Sequence, residues 1–308
     1  MTGPGLAWGW HYAAVRPTHY RIDYAINPFM NPADQPHPDR ALEQWEVMVA
    51  TLRALGARVD VLEQRADSPD MVYAMNLGLA LGAGPAGPAR TVLSRMRYAE
   101  RRRERLAAGP WFADNGFTVG DLPGVLGEDH GPAFEAGDAF AFGDALVVGY
   151  GPRTEESSLG LLAEELDARV RGLRITHPGM YHLDLAFCPL DERRAIVCPD
   201  AFDAPSAAAV LDLVPEVLVI DEAEAMTFCA NSVVLGDTIV MPAAPPKVRA
   251  QLEEWGFRVV LLDLGELHKG GGSVRCLTNP LDVVPGRDLP LVPGGELLLP
   301  ADEEQPAA

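Results

Sequence analysis

In three stretches of the chain, apolar residues recur at helical spacing, stop at a glycine, and give way to a short apolar run. Leu42, Trp45, Val49, Leu52 and Leu55 predict a first helix, Gly56 its end, and residues 57–62 a strand. In the second stretch Leu161, Leu162, Leu166 and Val170 follow Glu155 up to Gly172, with 173–176 as the strand. In the third, Val248, Leu252 and Trp255 follow Pro246, Gly256 closes the helix, and 257–262 is the strand. Pairs of short strands lie between these helices: 139–149 around Gly143-Asp144, 183–197 around 190–194, 232–241 turning at Gly236-Asp237, and a longer pair in 71–93 around 82–88. The repeated unit is therefore strand, strand, helix, strand. Units start near residues 71, 138, 183 and 228, and a fifth is assembled from a strand at 13–15 and the C-terminal strands. Repeats of this length often close radially. The expectation is one α/β domain over 13–292, a propeller of about five pseudo-symmetric ββαβ units, with a loose N-terminus at 1–12 and an acidic flexible tail at 293–308.

Ring closure has a chemical consequence. Asp70, Glu135, His182, Asn231 and Cys276 each fall just before or at the start of a strand pair, so equivalent strand ends bring them together at the centre. Three motifs stand out there: FEAGD at 134–138, YHLD at 181–184 and GGGSVRCLT at 270–278. A glutamate, a histidine and a cysteine so placed are the parts of a thiolate nucleophile with an oriented acid/base partner.

Blander readings accompany each residue. A buried cysteine is more often a small hydrophobe than a nucleophile; the run Gly270-Gly271-Gly272-Ser273 before Cys276 favours function by allowing close approach, while Cys188, Cys198 and Cys229 read as packing residues. The glycine run is not a phosphate loop, since no Gly-Lys-Ser/Thr opens a helix after it. A metal reading for His177, His182 and Asp184 lacks the spacing and a second ligand cluster. Asp138 divides evenly between turn and function, and Arg101-Arg102-Arg103 reads as a solvated helix face.

Composition narrows the class further. A chain of 308 residues, 48% hydrophobic, can bury a large core. Its formal charge of -19 repels nucleic acid and anionic membrane and favours cationic ligands. No apolar run approaches the roughly 20 residues of a membrane-spanning helix. Four cysteines without a CxxC pair, and no leader sequence, imply free thiols in a reducing cytoplasm. Nothing in the pattern calls for a cofactor or a metal. The expected partner is a small molecule, and homo-oligomerisation is left open.

Three further motifs extend the pattern: THYRIDYAINPFM at 18–30, PDMVYAMNLGL at 69–79 and GYGPRT at 149–154. With FEAGDAF, YHLDLAFCPL, CANSVVLGD and GGGSVRCLT, they make the chain resemble the guanidine-modifying superfamily from about residue 15 to 281. This is the pentein fold of arginine deiminases, dimethylarginine dimethylaminohydrolases and amidinotransferases, and the chain is most similar to the bacterial arginine dihydrolase and dimethylarginine-hydrolase-like subgroup. The resemblance implies a pentein-type propeller around a central site. It also implies a cysteine-dependent hydrolase of arginine or a modified arginine, working through a covalent amidino-thioether and releasing ammonia or an alkylamine. Arginine dihydrolase activity giving ornithine is favoured, with deiminase- or dimethylargininase-type activity next. Cys276 falls on the nucleophile, His182 on the acid/base and Glu135 on the carboxylate that orients it. Asp70 and Asp184 fall on guanidine-binding positions, Arg153 and Arg95 on carboxylate-holding positions, and Asn27 and Asn76 on the subgroup's two asparagines. Asn76 stands where deiminases and dimethylarginine hydrolases carry an acidic residue, and NPFM replaces the subgroup's NPWM. The rival readings are an amidinotransferase that passes the amidino group to an amine, and a catalytically silent pentein that binds a ligand or partner.

Overall fold

A computed structural model describes residues 5–126 and 129–300. Strand β1 (His11–Arg16) leads to helix α1 (Pro38–Ala54) and strand β2 (Arg58–Glu63). Helix α1 turns Ala41, Trp45, Met48, Val49 and Leu52 inward at the predicted spacing. Each large apolar side chain so buried contributes about 1.5–3 kcal/mol. Gly56, at φ +100°, takes the left-handed conformation that stops the helix and starts β2.

The same unit then recurs. Strands β3 (Gly78–Leu81) and β4 (Arg90–Leu93), helix α2 (Arg105–Asp114) and β5 (Thr118–Gly120) form the second unit. The third comprises β6 (Ala139–Phe142), β7 (Ala145–Tyr150), α3 (Ser157–Leu166) and β8 (Arg169–Arg174). In the fourth are β9 (Phe187–Pro189), β10 (Arg194–Val197), α4 (Ala204–Leu213) and β11 (Glu216–Val219). After the short helix α5 (Glu222–Ala225) come β12 (Val233–Leu235), β13 (Thr238–Met241), α6 (Pro246–Glu254) and β14 (Arg258–Leu261). A short helix α7 (Gly265–His268), strand β15 (Asn279–Pro280) and strand β16 (Glu296–Leu298) complete the order.

The strands make five small sheets among the described residues: β15-β1-β2, β3-β4-β5, β6-β7-β8-β16, β9-β10-β11 and β12-β13-β14. In each, a middle strand pairs antiparallel with one neighbour and parallel with the strand that its helix returns. Strand β15 gives the first sheet its antiparallel partner through Tyr12↔Pro280 and Ala13↔Asn279, bringing the C-terminal part of the chain back to the start. Just before β3, β6, β9, β12 and β15 the chain makes a tight turn, and these five turns carry Asn76, Asp138, Asp184, Asn231 and Cys276. Buried apolar residues from all five units merge into one large cluster, with a smaller one under the second unit.

Several local expectations are corrected. The second helix ends at Leu166, where Asp167 takes φ +47°, and not at Gly172. Val170 and Gly172 belong to β8, paired with Leu146 and Val148. Gly172 serves packing instead: a Cβ there would lie 2.5 Å from Leu159 and 2.6 Å from Leu299. Helix α4 went unread because alanines dominate it and only Ser206 and Val210 are buried. The terminal segments are held where they are described. Leu6 and Trp8 are buried, and Asp282 accepts the N–H of Gly9 and of Trp10 at 2.9 and 2.7 Å. Strand β16 joins β8, so the chain is tied down to Leu298; residues 1–4 and 301–308 lie outside the described residues.

Candidate active site

The turns before β3, β9 and β15, with parts of the 26–27 and 270–272 loops, wall a small cavity with about 260 Å³ of empty volume. Its lining includes Asn27, Asp70, Asn76, Arg153, His182 and Cys276, drawn from positions up to 249 residues apart (276 − 27). Glu135 and Asp184 stand immediately behind, each bonded to a lining residue. A larger groove, about 920 Å³, lies against Arg90, Thr91 and Glu165 but has no cysteine, serine or histidine in its wall. The residues expected to carry chemistry meet at the smaller one.

Cys276 sits in a turn over 274–277 and is 2% exposed. Its Sγ donates to Asp184 Oδ2 at 3.1 Å and accepts from Asn231 Nδ2 at 3.1 Å. The Asn231 Oδ1 also accepts the N–H of Cys276 and of Ser273, so this one amide pins the turn and the sulfur together. Asn231 was placed near the centre by its position in the repeat, but no motif gave it this job. Burial, then the Asp184 carboxylate, push the Cys276 thiol well above its usual range. A cation placed beside the sulfur would oppose both effects and favour the thiolate.

His182 Nε2 meets Glu135 Oε2 at 2.7 Å, both fully buried, which leaves Nδ1 as the ring nitrogen for a ligand. Glu135 Oε1 accepts the Arg97 N–H at 2.9 Å, and its Oε2 also accepts from Arg153 Nη1 at 3.3 Å. Burial opposes the charged carboxylate, but the Arg153 guanidinium and the His182 hydrogen bond outweigh it and hold Glu135 far below the usual carboxylate range. Asp138 accepts Thr154 Oγ1 at 2.7 Å and the Leu183 N–H at 2.9 Å, and burial pushes its carboxyl up to about 7. It braces the His182 turn and does not line the cavity.

Asp70 Oδ1 and Asp184 Oδ1 are buried without a hydrogen-bond partner, and burial raises both carboxyls. Orphaned buried carboxylate oxygens are costly unless a ligand supplies donors. Asn76 Oδ1 accepts the Gly137 N–H at 2.8 Å, so its NH2 end is the one left for the cavity. Asn27 Oδ1 accepts the Phe29 N–H, and its Nδ2 donates to the Gly270 carbonyl at 2.9 Å.

Arg153 is stacked between Tyr98 and Tyr181, 4.8 and 4.4 Å from the ring centroids, and donates to the Ile26 carbonyl. Arg95, expected beside it, does not reach the cavity: its Nη2 donates to the Asp129 carbonyl at 2.7 Å. Arg101 takes that place. It is 4% exposed, with Nε and Nη2 on Glu104 at 2.7 and 2.9 Å and Nη2 also on the Asp70 carbonyl. The expected solvated face of Arg101-Arg102-Arg103 is thus wrong at Arg101, which an inward Glu104 three residues on makes possible.

The glycine run is a close-packed contact and not a hinge. A Cβ on Gly270 would fall 2.0 Å from the Tyr73 hydroxyl, and one on Gly272 2.7 Å from Cys276 Cβ. Tyr73 and Tyr181 donate to the Leu267 and Gly271 carbonyls, each at 2.6 Å, and fix the loop. His177 is spent locally, its Nδ1 accepting from Gly179 and Met180, and among the described residues no three His, Cys, Asp or Glu side chains form a metal site.

A thiol, a carboxylate-oriented imidazole and aspartates with unpartnered oxygens around one cavity can be compared with known proteins. The family described as "N,N dimethylarginine dimethylhydrolase, eukaryotic" matches residues 16–283. The chain belongs to the dimethylarginine dimethylhydrolase family. Within reach of this hydrolase family, the bifunctional arginine dihydrolase/ornithine cyclodeaminase ArgZ of Synechocystis is 37% identical over 267 residues, covering 85% of this chain and 36% of that protein. The chain therefore spans about a third of the length of that relative. The dimethylarginine dimethylaminohydrolase of Mycobacterium tuberculosis is 34% identical, covering 87% of this chain and 84% of its own. The crystal structure of the N-terminal domain of ArgZ, an arginine dihydrolase of cyanobacteria, as a cysteine-to-serine mutant bound to substrate, superposes with TM-score 0.80 at 35% identity, over 89% of this chain and 98% of that one. An asparagine-to-serine mutant of the same domain, covalently bound to a reaction intermediate, matches with the same TM-score, identity and coverage. The fold is the pentein fold, an α/β arrangement of small sheets.

Proposed function

We propose that this family member is a cysteine-dependent hydrolase of the guanidino group, and that its substrate is arginine, carried through two rounds to ornithine. The observation that carries it is an unpartnered carboxylate oxygen on each of Asp70 and Asp184 around a thiol whose ionisation burial and Asp184 oppose. A guanidinium entering the cavity supplies N–H donors for Asp70 and Asp184, which fix its plane and line of attack. Its charge also offsets Asp184, so with substrate bound the Cys276 proton passes to His182. Arg101 Nη1 and the Arg153 guanidinium give the cavity a cationic side for the substrate carboxylate.

Cys276 Sγ then bonds to the guanidinium carbon. His182, held by Glu135, gives its proton to the departing nitrogen, and ammonia leaves an S-alkylthiouronium on the enzyme. His182 next takes a proton from water, whose oxygen displaces the thiolate and yields the ureido product. In the second round Cys276 attacks the ureido carbon, a second ammonia leaves, and water releases a carbamate that falls to ornithine and carbon dioxide. The second round must hold a neutral group where a cation sat before. The Asn76 amide, donating and uncharged, suits a ureido oxygen better than a carboxylate would. The similarity to ArgZ supports the same reading. Four unpaired cysteines support the reducing cytoplasm as its setting.

Arginine, monomethylarginine, asymmetric dimethylarginine and citrulline, each incubated with the protein and with its Cys276→Ser variant, separate the outcomes by mass spectrometry. Ornithine and ammonia from arginine, absent with the variant, are expected. Turnover of the methylated substrates alone would make it a dimethylargininase, and product formed only with an added amine would make it an amidinotransferase.

A further inference from the structure

The chemistry above leaves one group that touches the sulfur without a part in it. Asn231, in the turn before β12, is wholly buried, and its side-chain amide is used at both ends. At one end Oδ1 accepts the Ser273 N–H at 2.9 Å and the Cys276 N–H at 3.1 Å. At the other, Nδ2 donates to the Asp184 carbonyl at 3.0 Å and to Cys276 Sγ at 3.1 Å. Two N–H donors on the oxygen settle which way the amide faces: turned over, its NH2 would meet both of them, so the donor end stays on the sulfur. The backbone is held as firmly. Asn231 N donates to the Phe228 carbonyl at 2.9 Å, and the Asn231 carbonyl accepts the Arg275 N–H at 3.3 Å. Phe228 itself takes φ +64°, a left-handed conformation that a bulky residue keeps only where its surroundings enforce it.

Two side chains bond the sulfur, and they answer its charge in opposite ways. As a thiol, Cys276 donates to Asp184 Oδ2 and accepts from Asn231 Nδ2. Once the proton has gone, the Asp184 contact sets a carboxylate against a thiolate. The Asn231 contact becomes a charge-assisted hydrogen bond, about twice as strong as a neutral one. Of the two, only the Asn231 bond is worth more to the thiolate than to the thiol. It draws the thiol's titration down where burial and Asp184 push it up, with lesser help from the Ser273 backbone N–H, which Asn231 Oδ1 itself positions. The other titratable and charged groups around the cavity are Asp70, Tyr73, Arg101, Arg153, Tyr181 and His182. The charge returns to the sulfur when water displaces it, because the electron pair of the broken S–C bond leaves with sulfur. The same fixed donor then serves the attack and the release.

We propose that Asn231 is a catalytic residue, whose Nδ2–H holds the Cys276 thiolate both when it attacks and when it is displaced. The inference rests on Cys276 being the nucleophile and is independent of which guanidine is hydrolysed. The test is the rate of iodoacetamide alkylation against pH in substrate-free protein, followed on the Cys276 peptide by mass spectrometry, with melting temperatures measured alongside. Two substitutions separate charge from scaffolding. Asn231→Ala removes donor and acceptor together, whereas Asn231→Asp keeps an acceptor for the two backbone N–H groups and sets a second oxygen against the sulfur. Asn231→Ala is expected to slow alkylation about tenfold at a fixed pH below the thiol's titration, equal to an upward displacement of about one unit in the profile. Asn231→Asp should be slower again, about thirtyfold below the parent, because a carboxylate there opposes the thiolate. Parent-like alkylation in Asn231→Ala, or Asn231→Asp faster than Asn231→Ala, would make the amide a scaffold only and overturn the proposal. If neither variant folds, the Asn231 side-chain amide protons of the isotope-labelled parent are followed by NMR. A downfield shift that tracks the alkylation profile with pH, and is lost in Cys276→Ser, is expected; no shift would overturn the proposal. Failure of the parent protein to alkylate at Cys276 would sink the nucleophile assignment itself, and the proposal with it.

Discussion

Glu135→Gln is the sharpest perturbation of the proposed Glu135–His182 catalytic pair. The carboxylate accepts from His182 at 2.7 Å, from the Arg97 N–H at 2.9 Å and from Arg153 at 3.3 Å, and it is wholly buried. Glutamine keeps the shape but has one acceptor oxygen for these three donors, and its own NH2 must then face a donor. A hydrogen bond to a charged group is worth about 1.5–3 kcal/mol. If the His182 bond is strengthened only when the imidazole carries a proton, that energy is lost from the transition state, and kcat falls about 10- to 150-fold. KM should move far less, since Glu135 stands behind His182 and does not line the cavity. Leaving Arg153 without its carboxylate costs stability as well, about 3–5 kcal/mol for a broken buried pair, or on the order of 10 °C in melting temperature. Steady-state kinetics on arginine with parallel thermal melts reads both. A variant within threefold of the parent in kcat would refute the account of Glu135 as the group that holds and charges His182.

Three other outcomes follow from the same geometry. Asn76→Asp should leave the first hydrolysis within about tenfold but slow the second by tenfold or more, so citrulline accumulates; an unchanged ratio of ornithine to citrulline would end that argument. Arg101→Leu should raise KM for arginine at least tenfold, whereas Arg95→Leu should change KM less than threefold, because only Arg101 lines the cavity; equal effects in a KM assay would contradict it. For Asp138, whose carboxyl burial pushes up to about 7 against about 3.9 unfolded, the folded state binds the extra proton, so its stabilisation is present at low pH and lost as pH rises through about 7. Asp138→Asn should therefore flatten the decline of melting temperature between pH 5 and 8, and identical slopes in the two proteins would refute it.

Much of this was legible in the residue pattern, for a physical reason. Helix, glycine and strand repeat because each unit must bury one helical stripe on a small sheet, and Leu52 or Leu252 betrays that stripe by spacing alone. That Glu135, His182 and Cys276 lie near one another was legible, because the turns before equivalent strands meet around one cavity. What was not legible depended on which way a side chain turns. Three consecutive arginines look alike, and only burial of Glu104 draws Arg101 inward while Arg102 and Arg103 stay on surface carboxylates Asp129 and Asp67. The N-terminal segment looked loose because two tryptophans among glycines carry no periodicity. Trp8 is fixed by Arg275, 267 positions later (275 − 8), a contact that no local pattern records.

The covalent step is the centre of the account, and acid quenching during turnover of arginine, followed by peptide mass spectrometry, tests it directly. An adduct with the mass of arginine less ammonia on the peptide carrying Cys276, absent in Cys276→Ser, is the predicted result. Turnover without any adduct on that peptide, or ornithine formation by the serine variant, would contradict it.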